Sequence, residues 1–172
     1  MSATDVEVDA GHSDADAEFS GRSRIIAALV ALLSLAGIGV AGYLTYVHWF
    51  HKPIVCAGLH SCAEVALSPY AWIAGIPVAF LGLLGYVALL AIALFWLVVR
   101  DRFDIWPLLA IWGMSLGGVA YSAYLTYVEL YVIHAVCIWC VSSAVIMVLV
   151  CIVATAGLLT LWRDSELLSG SG

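Results

Sequence analysis

The sequence predicts an all-α integral membrane protein, a bundle of four transmembrane helices. Of its 172 residues, 65% are hydrophobic and 10% are charged, whereas soluble domains average about 45–50% apolar and about 25% charged residues. Four apolar stretches, at residues 25–50, 77–99, 105–131 and 136–162, each reach the roughly 20 residues that a helix needs to cross a bilayer. Only one formal charge, Glu129, falls inside them. This composition predicts contact with lipid and no nucleic-acid partner.

The chain is predicted to form one membrane domain, at residues 23–163, between two tails. Six acidic residues and no Lys or Arg occupy the first twenty positions. Such a charged segment with few large apolar residues favours disorder. Residues 1–22 are therefore predicted to be a solvated acidic tail, and residues 164–172 a flexible one.

The connections between the spans predict how the helices are arranged. Pro77 suits the first turn of the second helix, because that position needs no backbone N–H. The short link at 100–104 makes the second and third helices antiparallel neighbours. The long connection at 50–76 is predicted to carry a short interfacial helix. Within it, the segment 65–77 is apolar and contains Pro, Tyr and Trp, so it is interpreted as a lid lying flat at the membrane surface; a plain re-entrant connector is the alternative.

Basic residues predict the orientation of the bundle. Five arginines lie on one side of a four-span topology, at positions 22, 24, 100, 102 and 163, whereas Lys52 alone lies on the other. The positive-inside rule then places both termini in the cytoplasm of a cell inner or plasma membrane. The cysteines of the outer connection and of the start of span four consequently face the exterior or periplasm, where disulfides form.

An internal repeat links the two halves of the chain. The sequence SLAGIGVAGYLTYV at 34–47 matches SLGGVAYSAYLTYV at 115–128, with an offset of 81 residues. The same offset carries Cys56 onto Cys137. Five identical residues in a row and an aligned cysteine favour duplication of a helical hairpin over chance similarity of two apolar helices.

Four cysteines can serve three different purposes. Cys56 and Cys62 could form a structural disulfide in the outer loop, but this leaves Cys137 and Cys140 without a role. The four could bind zinc, although the C-x5-C spacing is not that of a zinc knuckle and no metal is predicted. A thiol–disulfide relay uses all four, because Cys137 and Cys140 share a helix face at the first turn, where backbone N–H groups favour thiolate. A lipid-soluble quinone reaches that depth from the bilayer.

The arrangement of these motifs resembles the vitamin K epoxide reductase family, in its bacterial type. The resemblance rests on the C-x5-C loop, Ser68 six residues beyond it, the stretch GIPVAFLG at 75–82 and the C-x-x-C that opens the last helix. It covers approximately residues 24–162. It implies a quinone-dependent thiol-disulfide oxidoreductase that supports disulfide bond formation.

The resemblance also implies roles for individual residues. Cys56 would exchange with a DsbA-like thioredoxin-fold protein, Cys62 would pass electrons to Cys137, and Cys140 would form the thiolate that reduces a membrane quinone, menaquinone or ubiquinone. The chain ends ten residues after Trp162, so the thioredoxin-fold partner is expected to be a separate protein. The residues expected to contact the quinone are Ser68, Ala74, Phe80 and Trp139. Ser68 as a helix N-cap, and Trp139 as a membrane-interface anchor, are the alternatives.

Two departures from the vertebrate members argue against reduction of a vitamin K epoxide. Those enzymes hold the vitamin ring with a tyrosine four residues after the C-x-x-C, where this chain has Ala144, and with an asparagine, which this chain lacks altogether. An ordinary respiratory quinone is therefore the expected acceptor. Because quinone reduction consumes two protons, Glu129 and His134 are candidate proton carriers, with simple placement at the interface as the alternative for both. His48, His51 and His60 are expected to be solvated, and Cys151 to be a packed apolar residue.

Overall fold

The protein was analysed as a computed structural model. It describes residues 3–50, 65, 68, 71–73, 75–98 and 105–169; for residues 3–20, 73 and 164–169 only the backbone is described. Cys56, Cys62 and Ala74, and the charged residues Lys52, Arg100 and Arg102, lie outside the described residues.

Four long helices account for most of the described chain. They are α1 (Ala3–Trp49), α2 (Val78–Val98), α3 (Ile105–Val128) and α4 (Ile138–Ser169). Four segments are long and apolar enough to cross a membrane: Gly21–Trp49 in α1, Val78–Val98 in α2, Ile105–Ile133, which covers α3 and the five residues after it, and Ile138–Arg163 in α4. The prediction of a multi-pass membrane protein with four spanning helices is thereby confirmed.

Both ends of the bundle extend further as helix than the sequence suggested. The helix α1 begins at Ala3, so it runs through the acidic segment predicted to be disordered, and α4 continues to Ser169, through most of the predicted C-terminal tail. Neither segment contains a proline, so nothing in the backbone chemistry stops a helix that packing has already started.

The connection between α1 and α2 ends in a small β-hairpin. Strand β1 (Trp72–Ile73) pairs antiparallel with β2 (Ile76–Pro77). Gly75, in the turn between them, has φ +82°, which glycine adopts without the clash that a Cβ would cause. The short interfacial helix predicted for this connection falls mostly on residues outside the described ones; of those described, Val65 is helical and Ala71 lies in a 3-10 turn, so that helix stays a prediction. Pro77, predicted as a first helical residue, instead ends β2, directly before α2.

The helices form a closed four-membered bundle. The helices in contact are α1 with α2 and α4, and α3 with α2 and α4, so α1 and α3 stand diagonally opposite each other. The core between them is fully buried, as Val30, Leu89, Ile111 and Val150 illustrate. Large apolar side chains such as Phe95, 60% exposed, face outward, as expected of a surface covered by lipid.

The structure supports the internal duplication. Val47 and its counterpart Val128 are both 4% exposed, and Ser34 and its counterpart Ser115 are both fully buried. Thr45 and Thr126 each donate a hydrogen bond to the carbonyl four residues earlier, at 2.7 and 2.9 Å.

The glycines that the repeat relates have the same packing role. Gly37 on α1 receives the ring of Tyr86 from α2, and Gly118 on α3 receives the side chain of Met147 from α4. Each hairpin therefore packs a large side chain of its second helix against a glycine of its first, as small residues permit in membranes.

Candidate functional site

The C-x-x-C motif lies at the start of α4, but its two cysteines occupy different positions. The carbonyl of Cys137 accepts the first helical hydrogen bond, from the Val141 N–H at 3.0 Å. Cys137 is therefore the residue that precedes the helix, and Cys140 is the third residue inside it. Both are free thiols.

This placement stabilises negative charge on Cys137. Its sulfur accepts a hydrogen bond from the Cys140 thiol and further ones from the backbone N–H groups of Cys140 and Trp139, and these lower its pKa from 9.0 to about 7 against the opposing effects of burial and of the Glu129 charge. The first-turn N–H groups of a helix have no partner within the helix and point toward the residue before it. They reach Cys137 and not Cys140. In the dithiol the thiolate is thus favoured on Cys137, whereas the family resemblance assigned the thiolate to Cys140.

Thiolate formation at Cys137 gives a pH prediction. Because the pKa of Cys137 is lowered to about 7, its thiolate is present above that pH and is lost by protonation as the pH falls through it. The ultraviolet thiolate absorbance of the reduced protein, minus that of Cys137→Ser, is expected to rise with a midpoint near this value. A difference that rises only near the ordinary thiol pKa of about 8.5 would contradict the assignment.

Glu129 faces the dithiol because of a local change in helix geometry. After α3, residues Glu129–Ile133 form a π-helical turn, which ends at His134 in the left-handed conformation, φ 57°. The backbone carbonyl of Glu129 accepts from the N–H of His134 and from that of Ala135, the latter at 3.0 Å. Single π-helical turns are rare and often occur at functional sites. Here the turn brings the chain back toward the start of α4.

The Glu129 side chain is buried against both cysteines. It is 4% exposed, and its Oε2 accepts a hydrogen bond from the Cys137 N–H at 3.3 Å. It is also hydrogen-bonded to the Cys140 side chain. A carboxyl group so far from water is costly unless hydrogen bonds compensate. The alternative of a carboxylate exposed to water at the membrane interface is therefore wrong.

Glu129 and the two cysteines line a partly open cavity between the four helices. The cavity has a volume of about 280 Å³ and mostly apolar walls; a cavity of about 150 Å³ is enough for a benzene ring. The titratable side chains on its walls are His48, Tyr86, Tyr121, Glu129, Cys137 and Cys140. Among the described residues, the cavity thus combines a dithiol, a carboxyl group and an imidazole in an apolar space of ring size.

The predicted quinone contacts have different positions around this cavity. Ser68 lines it and donates a hydrogen bond to the Val65 carbonyl at 2.8 Å. Phe80 instead packs edge-on against Trp49, and Trp139 packs against Tyr43, with ring centroids 5.9 and 4.7 Å apart; neither is among the residues lining the cavity.

The remaining predicted residues lie either outside the described part of the chain or away from the cavity walls. Ala74, Cys56 and Cys62 lie outside the described residues, so both the zinc hypothesis and the loop disulfide concern atoms that the structure does not describe. Cys151 is half-buried and does not line the cavity. His134 is exposed, and it too is absent from the cavity walls.

Tyr86 and His48 are among the wall residues that sequence reasoning missed. Tyr86 is fully buried, and its hydroxyl donates to the Ser143 carbonyl at 2.8 Å, which joins α2 to α4. His48, expected to be solvated, lines the cavity from the last turn of α1. The repeat contained a signal for His48, because the offset of 81 residues carries it onto Glu129. Nothing in the local sequence distinguishes Tyr86 from other membrane tyrosines.

The part of the chain that forms the cavity matches a known protein family. The model of the vitamin K epoxide reductase family matches residues 28–155, which is most of the chain. The chain belongs to the vitamin K epoxide reductase family. The match contains every residue that lines the cavity, from Ala41 to Met147. Vitamin K epoxide reductase family proteins are membrane oxidoreductases, and a dithiol in an apolar cavity is a suitable redox centre for such an enzyme.

Proposed function

We propose that this vitamin K epoxide reductase family protein oxidises a thioredoxin-fold partner and passes the electrons to a membrane quinone. The observation that carries the proposal is the cavity itself, in which Cys137, Cys140 and Glu129 meet among apolar walls. A quinone ring is apolar, has oxygens that take up protons, and reaches the cavity depth from the bilayer. Two thiols supply the two electrons and, with water, the two protons that quinone reduction needs.

The electron route follows the family pattern. Reduced partner exchanges with the outer-loop pair, so that Cys56 and Cys62 become thiols while the partner becomes a disulfide. The pair then reduces the Cys137–Cys140 disulfide, and the resulting dithiol reduces the quinone to a quinol. Cys137 lies immediately before α4, one helical turn nearer to that end of the helix than Cys140, and the family pattern assigns it the sulfur that Cys62 attacks.

The cavity wall supports an ordinary quinone over an epoxide substrate. Ala144 lines the cavity at the position where the vertebrate members carry a tyrosine. A methyl group offers no hydrogen bond to an epoxide oxygen. Menaquinone or ubiquinone is therefore the proposed acceptor.

The topology supports catalysis on the outer face. Arg22 and Arg24 lie at the start of the first span and Arg163 at the end of the fourth, so all three are at the opposite end of the bundle from Cys137. By the positive-inside rule that end is cytoplasmic, and the partner would lie in the periplasm or an equivalent compartment.

Reconstitution tests the proposal directly. The purified protein in quinone-containing vesicles, given a reduced DsbA-like protein, is expected to form one quinol for each partner disulfide. A second experiment uses loop variants. Cys62→Ala is expected to accumulate a mixed disulfide between Cys56 and the partner, whereas the double variant that lacks both loop cysteines is expected to form none. Absence of quinol formation in the wild type, with partner thiols still reduced, would refute the proposed function.

A further inference from the structure

His48 and Glu129 occupy equivalent positions in the two halves of the chain. The offset of 81 residues relates them directly. It also relates Ala41 to Ser122 and Leu44 to Leu125, and all six of these residues line the cavity. Positions three and four residues apart share one face of a helix, so α1 and α3 present the same face to the cavity.

The two residues approach the cavity from opposite helices. His48 lies in the last turn of α1, and Glu129 directly follows α3. Since α1 and α3 are diagonal in the bundle, a ligand between them has one of the two residues at each end. Glu129 is at the end of the cavity occupied by the dithiol, because it is hydrogen-bonded to Cys140.

The hydrogen bonds of His48 leave one ring nitrogen for a ligand. Its Nδ1 lies 2.8 Å from the carbonyl oxygen of Leu44. A carbonyl only accepts, so Nδ1 carries a hydrogen and donates it. Among the described residues Nε2 has no hydrogen-bond partner, so it is the nitrogen left for the cavity, and it donates when the ring is protonated and accepts when the ring is neutral.

Three hydroxyl groups on the walls are already committed to the protein. Ser68 donates to Val65, Thr126 to Ser122 and Tyr86 to Ser143, each through a backbone carbonyl. Their hydrogens are thus used within the bundle. The walls also carry the hydroxyl groups of Tyr121, Ser122 and Ser143, and the Ser143 hydroxyl contacts that of Tyr86 at 3.1 Å. His48 and Glu129 are the wall residues that bring an imidazole and a carboxyl group, from diagonal helices, to an otherwise largely apolar space.

We propose that His48 and Glu129 hold the two oxygens of a para-quinone, with Glu129 at the oxygen nearer the dithiol and His48 at the far one. The proposal rests on the proposed function and adds the two residues that hold the oxygens of the acceptor. A para-quinone has its carbonyl oxygens on opposite edges of the ring, which matches two polar groups from diagonal helices. An ortho-quinone, with both oxygens on one edge, does not bridge them.

The assignment also balances the reduction. The Cys137 thiolate and the Cys140 thiol together lose two electrons and form the Cys137–Cys140 S–S bond. The Cys140 proton passes through the Glu129 carboxylate to the near oxygen, and protonated His48 gives its Nε2 proton to the far oxygen. The quinone gains two electrons and two protons and leaves as the quinol. His48 then regains a proton from water.

A binding experiment on the oxidised protein, which has no electrons to donate, tests the far contact. The ligands are 1,4-naphthoquinone, which has two carbonyl oxygens, and alpha-tetralone, which has one, each measured in buffers from mildly acidic to neutral pH. The wild type is expected to prefer the quinone by about tenfold, the effect of one hydrogen bond. In His48→Phe that preference is expected to disappear, with tetralone binding unchanged. His48→Gln, whose amide nitrogen replaces Nε2, is expected to restore it in part.

The near contact is tested by turnover. Glu129→Gln keeps an acceptor for the Cys137 N–H but carries no proton, so the rate of quinone reduction is expected to fall about a hundredfold, with quinone affinity little changed. The control is Tyr131→Phe, which alters an exposed side chain of the same π-helical turn that does not line the cavity, and it is expected to leave the rate unchanged. If the wild type reduces quinones while His48→Phe keeps the preference for naphthoquinone, or loses affinity for both ligands equally, the proposal is wrong and the proposed function stands. If the wild type reduces no quinone, the proposed function itself fails.

Discussion

Replacing Cys140 with serine is expected to lower quinone reduction by at least about a thousandfold, since no disulfide can then form in the cavity and removal of a covalently acting residue has effects of this order or larger. The cysteine is hydrogen-bonded to both Cys137 and Glu129, and serine preserves hydrogen bonding without the redox chemistry. The measurement is quinol formation in vesicles with reduced thioredoxin-fold donor.

The chain contains a matched control for this substitution. Cys151 lies on the same helix but does not line the cavity, so Cys151→Ala is expected to change turnover by less than about twofold, as surface or packing changes away from a site usually do. Substantial turnover in Cys140→Ser would show that electrons leave the loop pair by a route that avoids the cavity.

The largest expected effect on stability comes from Gly37→Ala. A methyl group at this position overlaps the ring of Tyr86, which is fully buried and tied by its hydroxyl to Ser143 on α4. The ring cannot move without losing that hydrogen bond, so α1 and α2 must separate. Overpacking of this kind costs about 1–3 kcal/mol, and thermal unfolding in detergent is expected to show it as a lowered transition temperature.

A neighbouring glycine supplies the control for packing. A methyl group at Gly39 meets nothing within 4 Å, so Gly39→Ala is expected to be neutral or stabilising by up to about 1 kcal/mol, through helix propensity alone. In a Tyr86→Leu background, the cost of Gly37→Ala is expected to shrink, because the two residues are coupled through one contact. Equal destabilisation by both glycine substitutions would contradict the packing described.

Much of the fold was predictable because membrane helices are specified locally. In the hydrocarbon core of a bilayer, the backbone N–H and C=O groups of a single segment can hydrogen-bond only to each other. An apolar segment of sufficient length therefore forms a helix whatever segments surround it. The four spans therefore match their predictions closely. The hairpin at Trp72–Pro77 was not predicted, because a strand pair of two residues on each side has no periodicity to detect and depends on the turn at Gly75.

The site was predictable in composition but not in geometry. Cys137 and Cys140 were expected to act together, and they do line one cavity. The residue at which α4 begins decides which cysteine sulfur accepts hydrogen bonds from the N–H groups of the first turn. A start one residue earlier or later would give those hydrogen bonds to a different side chain. Phe80 and Trp139 were assigned to the quinone by their aromatic character, but each ring packs against a neighbouring aromatic instead.

The sequence by itself determined the membrane class, the number of spans, the repeat and the C-x-x-C at one end of the last helix, because each depends on residue type and spacing along one chain. Only the tertiary structure decided that Glu129 is buried against the dithiol, that Tyr86 joins α2 to α4, and that His48 and Glu129 line one cavity. These facts depend on how each helix is rotated about its axis. In a helix that is apolar on every side, the sequence leaves that rotation open, and packing of side chains such as Tyr86 against Gly37 settles it.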